Sequence, residues 1–209
     1  VKLLNEDERL SDLQVPYNLY DLSDKWDESN PDFVDQNCRI TAFRLFKNFI
    51  TSESNLSYDK INQNNLEFDL VTLKDNPNAK FRKEDMNKFF NFYSEIKVSD
   101  INNVNKCAEE IAKELKKREI SFKSDKNISI INGYVPSEED ESMFVGHTGV
   151  AINTKDGIVF IEKYGFGLPY QVTLFKDKEN LKIYMVDRLK TSFTGESQSY
   201  EPVIMENDK

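Results

Sequence analysis

One histidine and two cysteines are all that this chain of 209 residues offers to soft-metal ligation or to a nucleophile–base pair. So few ligands, set far apart, cannot close a zinc site unless carboxylates join them, and the sequence clusters none around them. No metal and no other cofactor is therefore expected. Two cysteines are also too few for a disulfide scaffold; they can form one bridge or none. Glycine is scarce, at 7 residues, and neither a P-loop nor a Gly-x-Ser-x-Gly elbow occurs. The isolated Gly165-x-Gly167 has no helix pattern behind it, so it is not a dinucleotide fingerprint. No apolar run approaches the roughly 18 residues that a membrane span requires, and no signal-peptide pattern is present. The chain opens on "VKLLNEDERL" without an initiator Met, and we read it as a trimmed or mature fragment. A lipid anchor removed from it is the one membrane attachment left open.

Positive charge is in deficit as well. Lys and Arg number 28 against 37 Asp and Glu, for a net charge of −9. Such a chain repels phosphates, and no basic run interleaved with rings offsets this, so no nucleic-acid partner is expected. The one basic cluster, "KELKKRE" at 113–119, lies in a charged helical stretch and reads as a solvated face. Aromatic residues, by contrast, are plentiful: 15 Phe and 9 Tyr exclude a disordered chain although charged residues reach 31%. The length predicts a single domain, residues 1–209, able to bury a core and expected to be a monomer.

Residues 1–34 are turn-rich, and Pro31 in "SNPDF" restricts Asn30 and stops a helix from running through. In "DQNCRITAFRLF", Ile40, Phe43, Leu45 and Phe46 recur at about helical spacing. Asp35, Gln36 or Asn37 can cap that helix, which puts Cys38 in or beside its first turn. Residues 51–82 mix polar residues with short apolar pieces such as "LEFDLVTL" and receive no assignment. Helices are expected over 83–93 and 100–120, the second with Ile101, Val104, Ala108, Ile111 and Leu115 on one side and Cys107 in or near the core. The period then changes. Strands are expected at 128–135, in "MFVGHTGVAI", in "GIVFIEKY", at 168–175 and in the tail "EPVIME". A helix over 178–193 is ended by Gly195. "NTKDG", with Asp156-Gly157 at the turn, makes a hairpin of the second and third of these strands. Helices followed by a mostly antiparallel sheet describe an α+β fold.

The chemistry concentrates on three residues. Read alone, Cys38 is either a small hydrophobe or a nucleophile, but a thiol at a helix N-terminus is favoured as thiolate by the dipole. His147 opens a strand, between Gly146 and Gly149. A hairpin turn centred on Thr154-Lys155 or on Lys155-Asp156 pairs Glu162 with His147 or with Gly149, and both registers put Glu162 on the face of His147. A loop one residue longer would turn it away. A carboxylate beside an imidazole fixes the tautomer and supports imidazolium, and the imidazole in turn activates a thiol. The alternatives are a structural histidine and a surface glutamate paired with a lysine. "GFGLPYQ", 165–171, is either a cleft wall with Tyr170 and Gln171 on substrate or an ordinary strand connection.

A cysteine opening a helix, a strand beginning His-x-Gly and a hairpin partner carrying "FIEK" together resemble the NlpC-like branch of the papain-like superfamily. The stretches "NCRITAF", "FVGHTGVAI" and "FIEKYGFGLPYQ" are also similar to those of an uncharacterised family of bacterial, mostly Firmicute, lipoprotein domains of unknown function, over most of the chain. The first resemblance implies an NlpC-type core, with a nucleophile helix at its N-terminal end packed on an antiparallel sheet. It implies Cys38 as nucleophile, His147 as general base and Glu162 as orienting group. It also implies an oxyanion hole made by the nucleophile's own backbone N–H and a second donor, for which Asn37, Gln36 and Tyr170 are the candidates. The sequence between Cys38 and His147 is longer than in compact cell-wall peptidases, so residues 51–125 are expected to be a helical insertion, perched as a cap over the cleft. A glutamate also stands where that branch more often has His or another polar group. The activity implied is that of an amidase or peptidase acting on cell-wall peptides at the cell surface, with a peptide or peptidoglycan-like substrate. A non-catalytic binding module on the same scaffold is the alternative, and a structural surface protein with Cys38 in its core is the plainest reading.

Overall fold

A computed structural model describes residues 3–4, 19–31, 33–53, 64–123, 127–137, 141–193 and 200–209. Its helices are α1 (Leu19–Ser29), α2 (Cys38–Phe46), α3 (Glu67–Asp75), α4 (Lys83–Tyr93), α5 (Val104–Lys117) and α6 (Lys178–Phe193). Its strands are β1 (Leu3–Leu4), β2 (Ile50–Ser52), β3 (Ile96–Lys97), β4 (Ile120–Phe122), β5 (Ile128–Ser137), β6 (Ser142–Thr154), β7 (Gly157–Lys163), β8 (Tyr170–Phe175) and β9 (Val203–Glu206). The fold is α+β. A seven-stranded sheet has the order β1-β8-β7-β6-β5-β9, with β3 pairing with β6, and β2 and β4 form a separate ribbon. Every pairing is antiparallel except that of β1 with β8.

The hairpin of β6 and β7 closes on Lys155-Asp156, because Thr154 faces Gly157 and Gly149 faces Glu162. This is one of the two registers that the turn residues allow. Gly157 has φ +133°, and a Cβ there would stand 2.2 Å from the Phe175 carbonyl oxygen, so the turn requires glycine.

Two cores flank the sheet. On one face, α2, α4 and α5 bury an aromatic cluster against β5, β6 and β9. Phe43 of α2 is its hub, with ring centroids 5.2 Å from Phe81, 5.3 Å from Phe89 and 6.5 Å from Tyr93. Burying each such ring contributes about 2–3 kcal/mol. The helices that follow α2 in sequence therefore share its core and fix its position. Cys107 of α5 is fully buried in this core. On the other face, α6 packs Leu181, Tyr184 and Met185 on Ile131, Ala151, Ile158, Phe160 and Phe175.

Three expectations change. Helix α1 occupies part of what reads as turn-rich sequence; its Trp26 packs on Phe33 and lies against Gly167. Helix α3 forms where the sequence resisted assignment, because its buried residues are Asp69, Thr72 and Leu73, and two polar members mask an apolar stripe. Arg118 is no part of a solvated face. Its guanidinium donates to the carbonyl oxygens of Asn91 (3.2 Å), Ser94 (2.9 Å) and Glu95 (2.7 Å), and so satisfies the C-terminal end of α4. α5 starts at Val104, capped by the Asn103 side chain on the Lys106 N–H. The stop expected at Gly195 lies outside the described residues.

Glycine matters most at Gly149. The Phe160 ring lies over it, so an added Cβ would stand 2.4 Å from that ring and 2.8 Å from the Ile161 carbonyl oxygen. Gly149→Ala is expected to destabilise the fold by about 1–3 kcal/mol, the usual cost of overpacking. Urea unfolding measures this; unchanged stability would show that Phe160 and β7 yield freely.

Candidate active site

The segment before α2 explains why the helix starts at the cysteine. Asn37 is extended, with φ −96° and ψ −175°, and its Oδ1 accepts the Ile40 N–H at 2.9 Å. Cys38 is thus the first helical residue, where its thiol meets the positive end of the dipole. The same Asn37 donates its amide to Asp69 Oδ1 at 2.8 Å. Arg39, on the other side of the cysteine, donates to both Asp69 oxygens, through Nε at 3.2 Å and through Nη2. It also reaches the Val145 carbonyl at 2.9 Å and that of Asn65 at 3.2 Å. One fully buried carboxylate on α3 therefore clamps both neighbours of Cys38. Asp35 ties in the connection between β7 and β8: its Oδ2 accepts the Gly167 N–H at 3.0 Å and pairs with Lys163 at 2.6 Å.

The sheet supplies the partner. Gly133 faces His147 while Tyr134 faces Val145, so Gly146 is the extra residue of a β-bulge. His147 shares the α6 face of the sheet with Gly149 and Ala151 by alternation, and the bulge puts Val145 and Met143, which precede it, in the core on the other face. Glu162, opposite Gly149, is its diagonal neighbour, and His147 Nε2 donates to Glu162 Oε2 at 2.5 Å. The Tyr184 hydroxyl donates to Glu162 Oε1 at 2.5 Å, and Arg188 Nε lies 3.7 Å from Oε2. With Nε2 engaged, Nδ1 is the nitrogen left to face Cys38, which lines the same cleft and interacts electrostatically with the ring.

Charge and burial shift all three groups. Burial alone pushes the Cys38 thiol up, yet the imidazolium charge of His147, its hydrogen bond and the Arg39 guanidinium bring it below the ordinary thiol value. Burial and Arg188 press His147 down, but the Cys38 thiolate, its hydrogen bond and the bond from Glu162 raise it above the usual imidazole value. Burial raises Glu162, and the bond and charge of His147, followed by Arg188 and Tyr184, hold it below the usual carboxylate range. Burial and the Glu162 charge push Tyr184 well up, so it stays protonated as a donor. Both shifts run in the direction that favours a thiolate–imidazolium pair, and a carboxylate stands behind the ring. Cys107 differs: burial raises its thiol, and its sulfur is 3.2 Å from the Asp100 carbonyl.

Cys38 is partly exposed on a cleft of about 570 Å³, walled by His147, Arg188, Glu67, Glu95, Phe144 and Tyr164 among others. Phe68 and Phe166 also line it; their rings meet at 6.3 Å, and Phe68 is 71% exposed. The structure brings Cys38, His147 and Glu162 together, with Asn37 beside them. The Asn37 side chain is taken up by Ile40 and Asp69. Gln36, Tyr170 and Gln171 do not line the cleft. Tyr170 is 59% exposed and lies under the Lys163 ammonium, 5.0 Å from its ring. Gln171 lies behind Glu162, with its amide on Thr173 Oγ1 at 3.2 Å. Sequence reasoning missed Arg39, Asp69, Tyr184 and Arg188. A charged residue within an apolar helical stripe was the available signal: Asp69 sits among Leu66, Leu70 and Leu73, and Arg188 follows Leu181, Tyr184 and Met185 at helical spacing.

Removing Asp69 strands a buried guanidinium, so Asp69→Ala is expected to cost about 3–5 kcal/mol of stability. Chemical denaturation tests this, and a loss below about 1 kcal/mol, the range of an exposed pair, would contradict the clamp.

Residues 3–209 match the family described as "Domain of unknown function (DUF4300)". No curated protein and no solved structure matches the chain. The chain therefore belongs to the DUF4300 family.

Proposed function

We propose that this DUF4300 domain is a thiol hydrolase, an amidase or peptidase with an NlpC-like arrangement of Cys38, His147 and Glu162. The observation that carries the reading is the chain of contacts from a half-buried thiol on a cleft, through a buried imidazole, to a buried carboxylate at 2.5 Å. In this reaction the Cys38 thiolate attacks the amide carbonyl carbon. The oxyanion meets the Cys38 backbone N–H, which has no intrahelical acceptor at the first helical position. His147 gives its proton to the leaving nitrogen, and the C–N bond breaks to leave a thioester on Cys38. His147 then takes a proton from water as that water attacks the thioester, and the acid product and free thiolate separate. Glu162 keeps the ring oriented and stabilises its charged form throughout.

Cell-wall peptides outside the cell are the substrates we propose, on the resemblance of "NCRITAF" and "FVGHTGVAI" to that branch. A second reading, a module that binds peptide without cleaving it, is favoured by the exposed Phe68 and Phe166 rings at the cleft.

Purified peptidoglycan stem peptides, followed by mass spectrometry for new amino termini, separate the two. The hydrolase reading expects cleavage by the wild type and a loss of about 10³-fold or more in Cys38→Ala. It also expects a bell-shaped kcat/KM profile. The acid limb reflects protonation of the thiolate and lies below the ordinary thiol value of about 8.5. The alkaline limb reflects loss of the imidazolium proton and lies above the ordinary imidazole value of about 6.5. Equal binding by wild type and Cys38→Ala, with no cleavage by either, would replace this reading with the binding one.

A further inference from the structure

The sheet face under α6 is not filled along its whole length. At the N-terminal end of the helix, partly walled by residues of that core, a second pocket of about 160 Å³ opens between α6, strands β5 to β7 and the segment after β9. It is separate from the Cys38 cleft and shares no lining residue with it. Ile131, Ala151, Ile158 and Leu181 make its walls apolar. A cavity of about 150 Å³ with aliphatic walls holds one benzene, so the space suits an apolar body of about that size.

Two independent features say what such a ligand carries. First, Ser129, which lines the pocket, is 4% exposed, and its hydroxyl has no hydrogen-bond partner among the described residues. A buried hydroxyl left unpaired is unfavourable, so an acceptor placed there is favoured. Second, Lys178, Lys182 and Lys209 surround the pocket with Glu206 as the one acidic residue, and Lys178 holds Glu206 at 2.5 Å. Lys182 and Lys209 form no ion pair among the described residues. On a chain with net charge −9 this is a local excess of positive charge.

We propose that this pocket binds a small carboxylic acid with a compact apolar body. The body rests on Ile131, Ile158 and Leu181, and the carboxylate accepts from Ser129 Oγ and faces Lys182 and Lys209. The site stands independently of the hydrolase reading.

Benzoate is the probe, with benzamide as neutral isostere and benzylamine as cation, titrated into the full chain by amide-resolved NMR. Saturable benzoate shifts at Ile131, Ala151 and Leu181 are expected below about 10 mM, with benzamide weaker and benzylamine inert. Lys182→Glu combined with Lys209→Glu, both exposed positions, should weaken benzoate about tenfold. Ser129→Ala should weaken it severalfold while leaving a folded spectrum. No saturable benzoate binding, shifts confined to the Cys38 cleft, or equal affinity for the doubly substituted chain would each overturn the proposal.

Discussion

Glu162 is 1% exposed between the sheet and α6, where a bare carboxylate would cost several kcal/mol to keep ionised. Its surroundings offset that cost from three directions: the imidazole from the neighbouring strand, the Tyr184 hydroxyl and the Arg188 guanidinium from the helix. Arg188 is itself stacked on the Tyr164 ring at 3.6 Å and bonded to the Tyr164 carbonyl, which pins the chain where β7 leaves the sheet. The charge that orients His147 also holds α6 to the sheet at this end. Site and fold therefore draw on the same interaction, and neither is adjustable alone.

A second buried acid does the corresponding work for the thiol. Asp69 fixes Asn37 and Arg39, and the aromatic cluster around Phe43 holds the body of α2. The helix end can then move little relative to the strand that presents His147. This is the preorganisation a thiolate–imidazolium pair requires, since the pair is stabilised only while the two groups stay in contact. Asp35 extends the same logic to the connection bearing Tyr164 and Phe166, and so ties one cleft wall to the residues just before Cys38.

Much of this was legible in the residues. Strand alternation and the "NTKDG" turn placed Glu162 on the face of His147, because a two-residue turn leaves the parity of the hairpin no freedom. Three candidate caps before Cys38 placed it in or beside the first turn, and Asn37 is the one that caps. The α+β class followed from the order of periods. Other features were hidden for physical reasons. Helix α3 buries an aspartate and a threonine, which interrupt the apolar stripe on its inward face. The bulge at Gly146 moves Val145 and Met143 to the face opposite His147, which the alternating pattern of the strand does not announce. Long-range partners such as Asp69 for Arg39 are set by packing between distant segments, which local spacing does not encode. Gly149, beside His147, is a place of close approach, and what approaches it is the Phe160 ring.

The chain has a single histidine, so one imidazole Cε1–H resonance reports its protonation without ambiguity. Following that resonance against pH, in the wild type and in Cys38→Ala, tests the charged pair most directly. His147 in the wild type is expected to titrate above the ordinary value of about 6.5, with a midpoint that falls when the thiolate is removed. A midpoint at or below the ordinary value, indifferent to Cys38→Ala, would contradict it.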